Sequence, residues 1–250
     1  MTQRTIRRRC AAFLAIGAMA ALAMPSTAQA APQLADLDAK QSMSVKASNG
    51  ERLEGKDLHA IQLATYTAAS VDDNTIVGYD LTTNTALASD ITAAAKTAGA
   101  TDANLTVNGK NDPMVWVVKN LTDSRSDPWS GKLRNFCNSL AKQTNFAKQE
   151  GTAVATLSQD KTTMSTGNVL VPGIYAIVDR TPATTTPSGG TAVKTTASIM
   201  MMNGTAVNGI SQLRTASGTT LTLGQVIYKV SSVETPDKKV NVCLLYTSPS

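Results

Sequence analysis

The hydrophobic period of this chain changes twice along its length, and that change limits the folds open to it. Ser42-Met43-Ser44-Val45-Lys46 alternates apolar with polar and runs into Ser48-Asn49-Gly50, a strand followed by a turn. In residues 59–66 the odd positions Ile61 and Leu63 are apolar, which predicts a second, half-buried strand. Asp72-Asp73-Asn74 reads as a turn, and residues 75–81 as a third strand. The period then becomes helical. Residues 90–98 are alanine-rich, with Ser89 or Asp90 placed to cap them. Asn111-Asp112-Pro113 puts a capping residue ahead of a proline at the first helical position. Met114, Val117, Val118 and Leu121 follow on one helix face. Ser126-Asp127-Pro128 repeats the device, and Leu133, Phe136, Cys137, Leu140 and Ala141 form the next face.

From Gly151 the period returns to two. Residues 153–157 form a strand, and Pro172-Gly173 is a turn leading into the strand that ends at Asp179. Residues 181–191, rich in Thr, Pro, Ser and Gly, read as an exposed loop. Short strands are expected at 197–202, 206–209, 221–223 and 225–230. The pattern predicts a mainly β domain, a β-sandwich of about eight or nine short strands with two or three helices inserted at about residues 88–147. Strand-dense ends around a helical insertion argue against a parallel α/β enzyme fold.

The first thirty residues stand apart. Arg4, Arg7, Arg8 and Arg9 precede a short apolar run, Pro25 breaks it, and Ala28-Gln29-Ala30 supplies a cleavage site between Ala30 and Ala31. This is the pattern of a secretory signal peptide, too short for a good membrane span. Four of the 23 basic residues lie in it and none of the 18 acids, which leaves 19 bases against 18 acids. Four of the five net positive charges belong to the signal segment, and the +1 that remains gives no ground for a nucleic-acid partner. Of three cysteines, Cys10 falls in the signal segment and Cys137 in an expected helix, with Cys243 near the end. An exported chain without disulfide pairs must hold together by core size, a metal or another crosslink.

Several segments, in order, carry a resemblance. They are Ser44-Val45-Lys46, Ala60-Ile61-Gln62-Leu63-Ala64 with Tyr66, Pro128-Trp129-Ser130-Gly131-Lys132-Leu133-Arg134-Asn135-Phe136, Pro172-Gly173-Ile174-Tyr175-Ala176-Ile177-Val178-Asp179, and Tyr228-Lys229 with Pro236-Asp237-Lys238-Lys239-Val240. Over about residues 40–242 the chain resembles the N-terminal half of a Gram-positive fimbrial shaft subunit of the isopeptide-forming kind, most like those of bifidobacteria and related actinobacteria. The resemblance implies an Ig-like, Cna-type β-sandwich and a structural subunit of a sortase-assembled cell-surface pilus that contributes to adhesion. It implies no enzyme and no cofactor. The partners it implies are other pilin subunits and sortase, with a host glycan or matrix molecule as ligand, and membrane contact only through the signal peptide and a C-terminal anchor. The location it implies is secreted, at the cell wall, in the pilus.

On this reading residues 1–30 are the signal peptide and 31–232 the first pilin domain. Residues 233–242 begin a second sandwich, and 243–250 are a non-native tail resembling translated sequencing-adapter DNA. The chain is expected to continue past Val242 into further sandwiches, a sorting motif and an apolar anchor. Tyr228-Lys229 stands at the place of the family's Tyr-Pro-Lys motif, without its proline, which makes Lys229 the candidate sortase acceptor. The family's internal crosslink joins a lysine to an asparagine. The amine attacks the side-chain carbonyl, ammonia leaves, and a nearby Asp or Glu shuttles protons. The lysine must lie in an apolar core, where lost hydration favours its neutral form. Lys238 matches the reactive lysine of the second domain, and Lys46 is the analogous candidate in the first. Residues 225–230 contain no asparagine; Asn203 and Asn208 are the nearest.

Two other classes compete. A glycan- or matrix-binding adhesin that is not polymerised would use Trp116 and Trp129 as platforms, although both fit helix packing. A secreted Ser/Lys hydrolase is compatible with composition. Triad chemistry would rest on the one histidine, His59, which lies in a strand pattern. No Cys/His spacing suits zinc, and Ser188-Gly189-Gly190 lacks the strand–helix setting of a phosphate loop.

Overall fold

The computed structural model describes residues 32–121, 131–188, 191–196, 200–215, 218–228 and 231–235. Its centre is the antiparallel pair Leu58–Asp72 and Thr75–Thr83. Asp73 and Asn74 turn the chain with φ of 45° and 54°, the left-handed pair that matches the twist of a two-residue hairpin. Asp and Asn tolerate that conformation better than other non-glycine residues. The register shifts twice, between Tyr66 and Ala68 and between Ser70 and Val71. Such bulges bend a strand and re-aim its side chains.

The long strand outruns this partner. Its first half pairs with Gly173–Asp179, from Leu58 opposite Asp179 to Thr65 opposite Gly173. The main sheet runs Met201–Gly204, Gly173–Asp179, Leu58–Asp72, Thr75–Thr83, Gln212–Arg214, Thr220–Thr222, with Gln33–Leu34 and Thr152–Ala153 also on the long strand. A second sheet orders Gln225–Tyr228, Ser44–Ala47, Thr163–Ser165 and Thr156–Leu157. Its first pair is parallel, although most pairs in the chain are antiparallel. The chain is therefore mainly β with mixed sheets and few helices, as its hydrophobic period predicts.

Two apolar cores flank the strand Gly173–Asp179. Ile174 and Ala176 belong to one, with Leu63, Ile91, Met114 and Phe136. Tyr175 and Ile177 belong to the other, with Met43, Val45, Val226 and Tyr228. Successive strand residues point to opposite faces, so this strand is covered on both sides. That explains its unbroken apolar run. The same holds for the long strand, where Ala60, Ile61, Leu63, Ala64 and Tyr66 are all buried. The half-buried strand expected at 59–66 is thus corrected, because alternation at 61 and 63 reports only one of its two covered faces.

The helices are α1 (Ala88–Thr97), α2 (Pro113–Leu121), α3 (Lys132–Leu140) and the single turn α4 (Thr144–Ala147). Met114, Val117 and Leu121 of α2 and Phe136, Cys137 and Leu140 of α3 are buried, on the faces that their spacing predicts. Their caps differ from expectation. Asp112 does precede Pro113, but its carboxylate accepts from the backbone N–H and hydroxyl of Thr83. The Thr83 hydroxyl in turn accepts from Met114 N–H at 3.0 Å. The start of α2 is thereby tied to the end of a sheet strand. Nor does Asp90 cap α1. Its buried carboxylate accepts from Phe146 N–H at 2.8 Å and Asn145 Nδ2 at 3.0 Å, which holds α4.

Two further expectations are corrected. The 181–191 loop contains the strand Thr184–Ser188, which pairs with Thr191–Thr196, because β-branched threonines suit a strand once a partner is present. Residues 206–209 form a turn closed by the bridge between Val207 and Ile210, with Asn208 and Gly209 at positive φ. The strand Ser231–Thr235 pairs with Thr191–Thr196. Ser126-Asp127-Pro128 and Trp129 lie outside the described residues.

Two glycines permit close approach. A Cβ on Gly173 would lie 2.1 Å from the Ala64 carbonyl oxygen, and one on Gly204 2.1 Å from the Tyr66 hydroxyl. That hydroxyl is buried and has no hydrogen-bond partner among the described residues, with the Tyr79 ring 4.9 Å away, centroid to centroid. Burial, then the neighbouring Tyr79, pushes the Tyr66 phenol above its ordinary pKa. Gly204→Ala is expected to cost about 2 kcal/mol by overpacking. Tyr66→Phe is expected to be neutral or stabilising by up to about 1 kcal/mol, since it removes an unpaired buried hydroxyl. In a urea double-mutant cycle the pair should couple by at least about 0.5 kcal/mol; additive costs would show that the hydroxyl is not the obstacle.

Candidate functional site

The last strand of the second sheet is Gln225–Tyr228, and its burial follows period two. Val226 and Tyr228 face the core, while Gln225 is exposed and Ile227 is 50% exposed. It lies parallel to Ser44–Ala47, with Ile227 opposite Lys46 and Tyr228 opposite Ala47. Tyr228 is fully buried, and its hydroxyl donates to Asp179 Oδ2 at 2.5 Å. Asp179 ends the neighbouring core strand and is itself buried, and its Oδ1 accepts from Thr181 N–H at 2.9 Å. On the ring side Lys56 Nζ lies 5.6 Å from the Tyr228 centroid, within cation–π range. Three segments distant from Tyr228 in sequence therefore hold its phenol by hydroxyl, ring and strand.

The fixed end of that strand leads directly to Lys229. Lys229 and Lys238 lie outside the described residues, as do Ala30 and Ala31 at the expected cleavage point. Lys46 is described, and it is exposed. Its neighbours Val45 and Ala47 take the core face, which turns position 46 outward. The desolvation required of an isopeptide lysine is therefore missing at Lys46, a correction to the expectation for the first domain. The nearest asparagines do not complete the pair. Asn203 donates through Nδ2 to the carbonyls of Thr222 and Gln225, and its Oδ1 accepts from Gly204 N–H. Asn208 sits exposed in the 207–210 turn.

In the sequence Asp179 and Tyr228 fall in separate segments with nothing to join them. The available signal was a carboxylate closing an otherwise apolar strand, which must find a donor when buried. Lys56 carried no signal of its own.

Other polar groups take structural roles. His59 Nε2 pairs with the exposed Asp57 Oδ1 at 2.7 Å, and its buried Nδ1 has no partner among the described residues. Cys137 is buried in α3. Burial pushes its thiol up to about 12, against the opposing pull of Arg134. Asp160 lies in an exposed turn, where donation from Ser158 and then Thr162 lowers its carboxyl to about 2. Among the described residues no group of three His, Cys, Asp or Glu side chains is placed to hold a metal ion, and no helix is long and apolar enough to cross a membrane. No family model matches the chain, and neither a curated protein nor a solved structure matches it.

Tyr228→Phe is expected to lower stability by about 1–2 kcal/mol, because a buried carboxyl loses a donor, whereas Ile227→Ala at the exposed neighbour should stay within about 0.5 kcal/mol. Urea unfolding at constant m-value separates the two. In a Cys243→Ser background, iodoacetamide at pH 8 should leave Cys137 unlabelled in the native chain and label it after denaturation, read by peptide mass mapping. Native labelling would show that the thiol is accessible.

Proposed function

We propose that the chain is a structural subunit of a sortase-assembled cell-surface pilus and contributes to adhesion. Residues 31–232 would form an Ig-like, Cna-type β-sandwich interrupted by the helices. The observation that carries this reading is the fixation of Tyr228 immediately ahead of Lys229. A sortase acceptor must be offered at a defined place while the rest of the subunit stays folded. Tyr228 is buried, bonded to Asp179 and paired in register with Ala47, so the chain enters position 229 from a rigid support. In the polymer the Lys229 amine attacks the acyl-enzyme that sortase forms on the sorting-signal threonine of the next subunit. An amide forms, and the sortase thiol leaves. Lys238 would staple a following domain by the lysine–asparagine condensation, losing ammonia. Burial of the two cores supplies cohesion to a chain whose only described cysteine is free.

In cells that express the subunit with its sortase, Lys229→Ala is expected to collapse the high-molecular-weight ladder on a denaturing gel to monomer, with secretion unchanged. A ladder that persists moves the acceptor elsewhere. Mass spectrometry of a longer form carrying the following domain should show the loss of one ammonia, about 17 Da per crosslink from the condensation itself, and Lys238→Ala should restore the uncondensed mass.

A further inference from the structure

Among the described residues a cavity of about 490 Å³ is lined by the two end strands of the main sheet, Met201–Gly204 and Thr220–Thr222, by Thr75–Thr83 and Gln212–Arg214, and by the helices α2 and α3. That volume lies in the range of small-molecule sites. Its walls are largely aliphatic, including Val118, Leu133, Met202 and Leu221. Two cations, Lys119 and Arg214, also line it, and both are exposed. No carboxylate is among the described residues that line the cavity, and neither cation is in a salt bridge with a described residue. Gly78 on the same wall has no positive φ, and a Cβ there would meet no atom within 4 Å. Gly78 stands opposite Ser70 at one of the register shifts of the long strand, a setting in which strand-interior glycines recur.

We propose that this cavity binds a small free amphipathic carboxylate. Its apolar body would lie against Val118, Leu133, Met202 and Leu221, and its anionic head against Lys119 and Arg214. The two uncompensated cations disfavour a neutral apolar ligand. The site is separate from the Tyr228–Asp179 contact, and it stands or falls independently of the pilin reading.

Isothermal titration of the purified chain with octanoate tests the assignment, with 1-octanol as the uncharged match. Saturable one-to-one binding of octanoate is expected, with weaker binding of octanol. The double variant Lys119→Glu/Arg214→Glu, changed only at exposed positions, should lose affinity for octanoate by about tenfold, the combined worth of two exposed charge contacts. Leu221→Trp, checked for native melting, should abolish binding by filling the cavity. Absence of saturable binding overturns the proposal, as does equal affinity for octanol or indifference to the charge reversal.

Discussion

The strand Leu58–Asp72 has to satisfy two cores at once, and most of the architecture depends on that. A strand with one wet face has only one packing surface. This one presents Ile61 and Leu63 to the helix-lined core and Leu58 and Ala60 to the core under the second sheet. Its backbone also hydrogen-bonds strands on both edges, Thr75–Thr83 and Gly173–Asp179. At about 25 cal/mol per Å² of apolar surface removed from water, covering both faces is how a domain whose one described cysteine is free gains its cohesion. The cost is steric. Strands packed this closely leave no room for side chains at Gly173, and at Gly204 the phenol of Tyr66 fills the space that a side chain would need.

Local chemistry made the helices legible. Asp112-Pro113 begins α2, and the buried faces of α2 and α3 follow the spacing of Met114, Val117 and Leu121 and of Phe136, Cys137 and Leu140. The hairpin at Asp73-Asn74 was equally local. What sequence did not reveal depends on distant partners. The donor to Asp112 is Thr83, 29 residues away, and Asp90 serves a helix 56 residues further on. Threonine-rich composition reads as a loop until pairing between Thr184–Ser188 and Thr191–Thr196 puts those β-branched residues in a sheet.

The candidate site divides the same way. Tyr228-Lys229 was visible as a motif, because two adjacent residues suffice to mark it. Its support was not visible, because Asp179 and Lys56 reach Tyr228 from 49 and 172 residues away. Lys46 shows the opposite error. A lysine in a strand that opens the domain fits the pattern of the pilins that the sequence resembles, yet the flanking Val45 and Ala47 use the core face and leave Lys46 in water. The alternation of Met43 and Val45 with Ser44 and Lys46 already assigns Lys46 to the polar face, a local signal that the resemblance to a reactive-lysine strand overrides.

The parallel pairing of Ser44–Ala47 with Gln225–Tyr228 places an early strand beside a late one, both pointing the same way. Tension applied through the two ends of the domain would drag these strands past each other along their length. Every hydrogen bond between them, from Ser44 opposite Gln225 to Ala47 opposite Tyr228, would then bear the load together rather than opening one by one. The phenol bonded to Asp179 lies at the end of that seam, where it adds a lateral anchor against sliding. Resistance to stretching is thus a property of strand direction, distinct from the equilibrium stability that the two cores provide.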